Sequence, residues 1–228
     1  MRVTGMSEWT VKEVVEPATG KVHRFYSYKR RPCKRVVVDT PMAKQLAGYV
    51  LIEKDLRSAG IWLAEVDRLR GKDKDRDVHG SQPSKDRERY NVVKGLFVAA
   101  LTFYGKAFAQ CEGRRVKLER RQLSAEFHSA HGNAIMYRNN FAAHSGAKVL
   151  ELAEVAVVLP PKSKAGIGPN LYREMTQPDY YSTTAEDKSF ADLIEHSREL
   201  AVRKIVQLTE KVLKEDVLPK GYDYWARK

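Results

Sequence analysis

The chain has 228 residues, 43% of them hydrophobic, enough for one sizeable core with a small appendage rather than two full domains. Lys and Arg number 41 against 29 Asp and Glu, a formal charge of +12; this draws polyanions, nucleic acid first among them, or serves only solubility. Two cysteines, Cys33 and Cys111, form no CxxC pair and have no histidine at zinc spacing, so neither a metal site nor a disulfide framework is expected, and a reducing cytoplasm fits.

The first sixteen residues lack an apolar signal core. Residues 9–28 hold two β-favouring runs around Pro17-Ala18-Thr19-Gly20, which predicts a hairpin and marks 1–40 as an N-terminal extension. Thr40-Pro41 reads as a helix N-cap with proline at the first helical position. Behind it Met42, Leu46, Tyr49, Ile52, Leu56, Ala59, Leu63 and Val66 recur at steps of three and four, one apolar stripe on a long helix that ends before Gly71. Residues 72–89, charged with both signs and interrupted by Gly and Pro, predict a solvated loop; an RNA-contacting loop is the sharper alternative.

Tyr90, Val93, Phe97, Ala100, Tyr104 and Phe108 mark a second amphipathic helix. Its most apolar run, Leu96 to Tyr104, lies between Lys94 and Lys106 and is too short to span a bilayer, so no membrane partner is expected. After Gly113, five of the eight residues 114–121 are basic, and Val116 and Leu118 among them show that this piece also packs. Residues 126–145 read as helical around Gly132, anchored by Ile135, Met136 and Phe141. A second hairpin or a pair of short strands is expected within 148–176, inserted into a helical domain spanning 41–218. Thr183 and Glu186 have capping-box spacing. Phe190, Leu193, Ile194, Ala201, Ile205, Leu208 and Val212 line a final long helix that stops before Pro219, leaving 219–228 as a tail. The fold class expected is mainly α, a helical bundle with small β-hairpin additions.

One segment concentrates chemistry: Y-R-N-N-F-A-A-H-S-G, residues 137–146. An arginine followed by a histidine a few residues on is a loose pattern, and Arg121 to His128 meets it as well. Context separates the two. Residues 128–146, preceded by the aromatic-rich helix and the G-R-R-V-K-L segment, resemble the HEPN superfamily of helical ribonucleases and toxin-like proteins, whose hallmark is Arg, a polar residue that is often Asn, then His. The resemblance covers about residues 90–146 and, loosely, the final helix; the strands at 9–28 and 148–176 are not part of a minimal bundle of that kind. It implies Arg138, Asn139 and His144 as catalytic residues, no cofactor, and a homodimer. It also implies RNA as substrate and an antitoxin protein as a partner in a toxin or phage-defence setting.

The residue types suit that chemistry. Cutting an RNA phosphodiester requires activation of the 2′-hydroxyl and stabilisation of charge on the phosphate. Histidine, with an unperturbed pKa of roughly 6.5, moves protons near neutrality. Arginine offers a planar fork of donors matched to phosphate oxygens. On an ideal helix Arg138 and His144 would be separated by about 9 Å of rise and about 120° of rotation, so both reach one phosphate without touching. Asn140, four residues before His144, lies on the same face and would orient a catalytic group or hold the phosphate. No acidic residue lies in the motif, which suits a metal-free mechanism. One motif supplies one histidine, whereas acid and base are both needed; a twofold axis near the motif would line one cleft with two copies, and Ala142 and Ala143 would let helices approach there or serve equally for tight packing inside one subunit.

Arg114, Arg115, Lys117, Arg120 and Arg121 are expected to bind substrate phosphates, with His131 and Ser145 as supporting groups. The plainer readings are a surface salt bridge for Arg138, a satisfied helix-end histidine for His144, core packing for His128 and a solvated face for the basic cluster. Three functions remain open at this point: a metal-independent endoribonuclease, a non-catalytic RNA- or protein-binding module on the same scaffold, and a helical interaction protein whose charge serves solubility.

Overall fold

The computed structural model describes residues 8–70, 87–142, 152–160, 168–176 and 188–228. The charged stretch 71–86, His144, Ser145, Ala143 and the Thr183/Glu186 pair lie outside the described residues. Helices dominate, with two small antiparallel sheets. The chain divides into two compact units, 1–43 with 209–228, and 44–208.

The first unit holds the expected hairpin. Strands β1 (Trp9–Val15) and β2 (Val22–Tyr28) pair from Trp9↔Tyr28 to Val15↔Val22. Gly20, at φ 67°, takes the left-handed position in the connecting turn. A third strand, β3 (Arg31–Cys33), adds to β2; three residues are too few to leave a periodic signature. Thr40 Oγ1 accepts from the Ala43 amide at 3.1 Å, so it caps the long helix α1 (Pro41–Arg70) as expected. The same hydroxyl donates to Asp216 at 2.5 Å. Residues 219–228 are not the expected tail: Leu218–Lys220 forms a 3-10 turn and Gly221–Arg227 a short helix, α5. Lys34 Nζ donates to the Ala226 carbonyl at 2.6 Å.

The second unit contains most of α1, then α2 (Arg87–Phe108), α3 (His128–Tyr137), strands β4 (Leu152–Val158) and β5 (Asn170–Thr176), and α4 (Phe190–Lys211). Residues 87–89, expected at the end of a loop, begin α2. The apolar stripes meet in one core: Ile52, Leu56, Leu63 and Val66 from α1, Phe97, Leu101 and Tyr104 from α2, Ala130 and Ala134 from α3, and Leu193, Ile194 and Ala201 from α4. Phe190 packs edge-on to Tyr104, ring centres 5.4 Å apart. A capping box does precede α4, at Ser189 and Asp192: Ser189 Oγ accepts from the Asp192 amide at 3.0 Å and Asp192 Oδ2 from the Ser189 amide at 3.1 Å. Met136, expected as an anchor, is exposed, while Ile135 packs on the core.

Candidate functional site

After α2 the chain turns tightly at Cys111–Arg114, where the Arg114 amide donates to the Cys111 carbonyl at 3.1 Å. The arm that follows is fastened to the core. Leu118 is buried and its amide donates to the Ala107 carbonyl at 2.9 Å. Val116 lies so close to α1 that a Cβ added at Gly48 would come within 2.5 Å of its Cγ2.

This arm corrects part of the expected phosphate-binding cluster. Arg114 is only 5% exposed and turns inward to Asp55, itself 1% exposed. Arg114 Nη1 lies 3.5 Å from Asp55 Oδ2, and Nη2 donates to the Lys106 carbonyl and, at 3.2 Å, to Cys111 Sγ. Lys106 Nζ reaches Asp55 Oδ2 at 3.2 Å, and Lys54 Nζ lies 3.1 Å from Oδ1. A buried carboxylate needs such partners, and Arg114 serves it rather than a ligand. Arg115, Lys117, Arg120 and Arg121 do lie on the exposed side of the arm, Arg121 with Glu119 at 2.8 Å.

His131 and Tyr104 join α3 to α2 inside the core. The Tyr104 hydroxyl and His131 Nδ1 are 2.7 Å apart, and the His131 ring leans on Phe108 with centres 4.6 Å apart. Burial raises the Tyr104 pKa, so the phenol stays protonated. Burial, followed by the electrostatic influence of Arg120 and His128, lowers that of His131, which favours the neutral imidazole. His131 is therefore a packing and hydrogen-bonding group. His128 is half-buried, with Nε2 3.2 Å from the Leu123 carbonyl.

The Arg138 end of the motif is described in full. In place of an ideal α-helix, Arg138–Ala142 forms a π-turn at the C-terminus of α3. Arg138 is half-buried and its stem crosses α2 at Gly105, where an added Cβ would stand 3.0 Å from Cγ, 3.2 Å from Cδ and 3.3 Å from Nε. Gly105 thus leaves the space that the arginine occupies. Arg138 Nη1 donates to Asn139 Oδ1 at 2.8 Å. Among the described residues no carboxylate pairs with Arg138. Asn139 is exposed and Asn140 half-buried.

One basic cluster lies outside the segments singled out by sequence. Five of the seven residues 29–35 are cationic and none is acidic, a denser run than 114–121. The K-R-R-P-C-K-R string is itself the signal. Comparison with protein-family models, curated proteins and solved structures returns no significant match.

Proposed function

We propose that the protein is a metal-independent endoribonuclease of HEPN type, acting as a homodimer and suited to a toxin or phage-defence role with an antitoxin partner. The observation that carries this reading is Arg138: a guanidinium seated on Gly105, steered by Asn139 and paired with no carboxylate among the described residues. Such a group keeps its fork for an anion. The π-turn it opens is a form of helix found often at functional sites. Arg115, Lys117, Arg120 and Arg121 would guide the strand electrostatically.

In the reaction, His144 takes the proton of the 2′-hydroxyl and the resulting oxyanion attacks the adjacent phosphorus. Arg138 holds the non-bridging oxygens as charge builds on them. The P–O5′ bond breaks, the departing oxygen takes a proton from the second copy's histidine, and a 2′,3′-cyclic phosphate remains. His144→Ala is expected to slow cleavage of a labelled mixed-sequence RNA roughly 10²–10⁴-fold. Arg138→Ala should lower turnover more than binding, and Arg138→Lys should rescue it only in part, because a point charge lacks the fork. Cleavage is expected to persist in EDTA. Unchanged cutting by His144→Ala, or loss of wild-type activity in EDTA, refutes the assignment; RNA binding without any cleavage replaces it with the non-catalytic module.

A further inference from the structure

Residues directly opposite each other in an antiparallel sheet share a face. Trp9 is opposite Tyr28 and Tyr28 is opposite Arg31, so these three form a row across β1, β2 and β3. The neighbouring row is Val11, Tyr26 and Cys33. The Trp9 and Tyr28 ring centres are 4.9 Å apart at 46°. Trp9 is 59% exposed and Val11 56%, and every residue of β1 is exposed. On this face Trp9 and Val11 are open to solvent, while Tyr26, Tyr28 and Cys33 are half-buried.

Cations gather at the Trp9 end of it. Lys29 and Arg30 form the turn between β2 and β3, Arg31 completes the aromatic row, and Lys34 and Arg35 follow. Lys29 pairs with Glu8 at 3.0 Å; no carboxylate among the described residues pairs with Arg30, Arg31 or Arg35. The turn itself is strained. Lys29 has φ 47° and Arg30 φ 65°, left-handed values at both central positions of a two-residue hairpin, where Asn-Gly fits without strain. Two cations thus hold positions that the backbone alone would not choose for them.

We propose that this face binds single-stranded RNA, with unpaired bases stacking on Trp9 and Tyr28 and phosphates held by Arg30, Arg31 and Arg35. An exposed tryptophan backed by a half-buried tyrosine beside a cationic run offers the recognition chemistry of single strands, since every base has a π-face and an unpaired one is free to stack. Arg31, opposite Tyr28 in the register, lies on the same face as the two rings, and Lys29 Nζ stands 5.5 Å from the Tyr28 ring centre. The site uses neither Arg138 nor His144 and does not depend on cleavage.

The test measures anisotropy of a labelled twelve-nucleotide 2′-O-methyl RNA, which cannot undergo 2′-hydroxyl attack, with the full chain. Trp9→Leu is expected to weaken binding about tenfold and to remove the quenching of tryptophan emission by the oligonucleotide. The triple variant Arg30→Gln, Arg31→Gln, Arg35→Gln should lower the log–log salt slope by about 0.7 for each phosphate that is no longer neutralised. Lys29→Asn with Arg30→Gly relieves the strained turn, so it should melt no lower than wild type and yet bind more weakly. That pair of opposite effects separates a binding role from a damaged fold. Unchanged affinity in Trp9→Leu and the triple variant overturns the proposal. So does equal competition by a duplex of the same length, or a change in oligomeric state with RNA affinity intact.

Discussion

Asp55 sits on the apolar face of α1, and Arg114, Lys106 and Lys54 gather around it. Breaking a buried pair so that one charge is left alone costs on the order of 3–5 kcal/mol; with Arg114 removed, Lys106 and Lys54 would still face Asp55, so the loss is expected to be smaller. The arm after α2 is thus tied down through Arg114, one of the five residues expected to bind phosphates. His131 makes a pH-dependent contribution of its own. Its folded pKa lies below the ordinary 6.5 because of burial, then Arg120 and His128. The unfolded chain therefore binds the proton first as pH falls. The stability from His131 is complete above about 6.5 and declines from there down through the lower folded value. Urea midpoints at pH 7.5 and 5.5 are expected to fall further for wild type than for His131→Gln. Equal falls would mean that this ring does not report burial.

At the scale of elements, the arm lies close on α1, with Gly48 against Val116. Gly to Ala in an exposed helix gains about 1 kcal/mol. Here the added methyl would meet Val116 Cγ2 at 2.5 Å, so the sign reverses. Gly48→Ala is expected to destabilise by about 1–3 kcal/mol, and adding Val116→Ala should recover part of that loss in thermal melts. The helices themselves are legible in the sequence because their apolar periods are long: Ile52, Leu56, Ala59, Leu63 and Val66 belong to one stripe and are all buried. Both hairpins are legible from β-favouring runs around turn residues. Arg114 is not, because its partner Asp55 lies 59 residues earlier and charge density says nothing about direction. Nor is the π-turn at Arg138, which no period announces. Of the candidate site, the Arg138–Asn139 contact follows from adjacency; the Gly105 seat beneath it depends on how α2 meets the turn after α3, which only the packed chain determines.

For the whole molecule, a charge of +12 opposes self-association, so a dimer needs a specific interface. The proposed mechanism requires one, because each chain brings a single motif histidine. Sedimentation at tens of micromolar, about the range in which a stable interface persists, is expected to show twice the 26.0 kDa chain mass. A monomer there would rule out the shared cleft. Stability is also spread unevenly. β4 and β5 zip through a register from Leu152↔Thr176 to Val158↔Asn170, yet Val155, Val157, Leu171 and Tyr172 are exposed, and Glu154 stands opposite Glu174. Hydrogen bonds alone hold a two-stranded ribbon poorly, and facing like charges loosen it further. This ribbon is therefore expected to open locally without waiting for the core, its amides exchanging with solvent in a hydrogen-exchange measurement before those of the buried faces of α1, α2 and α4.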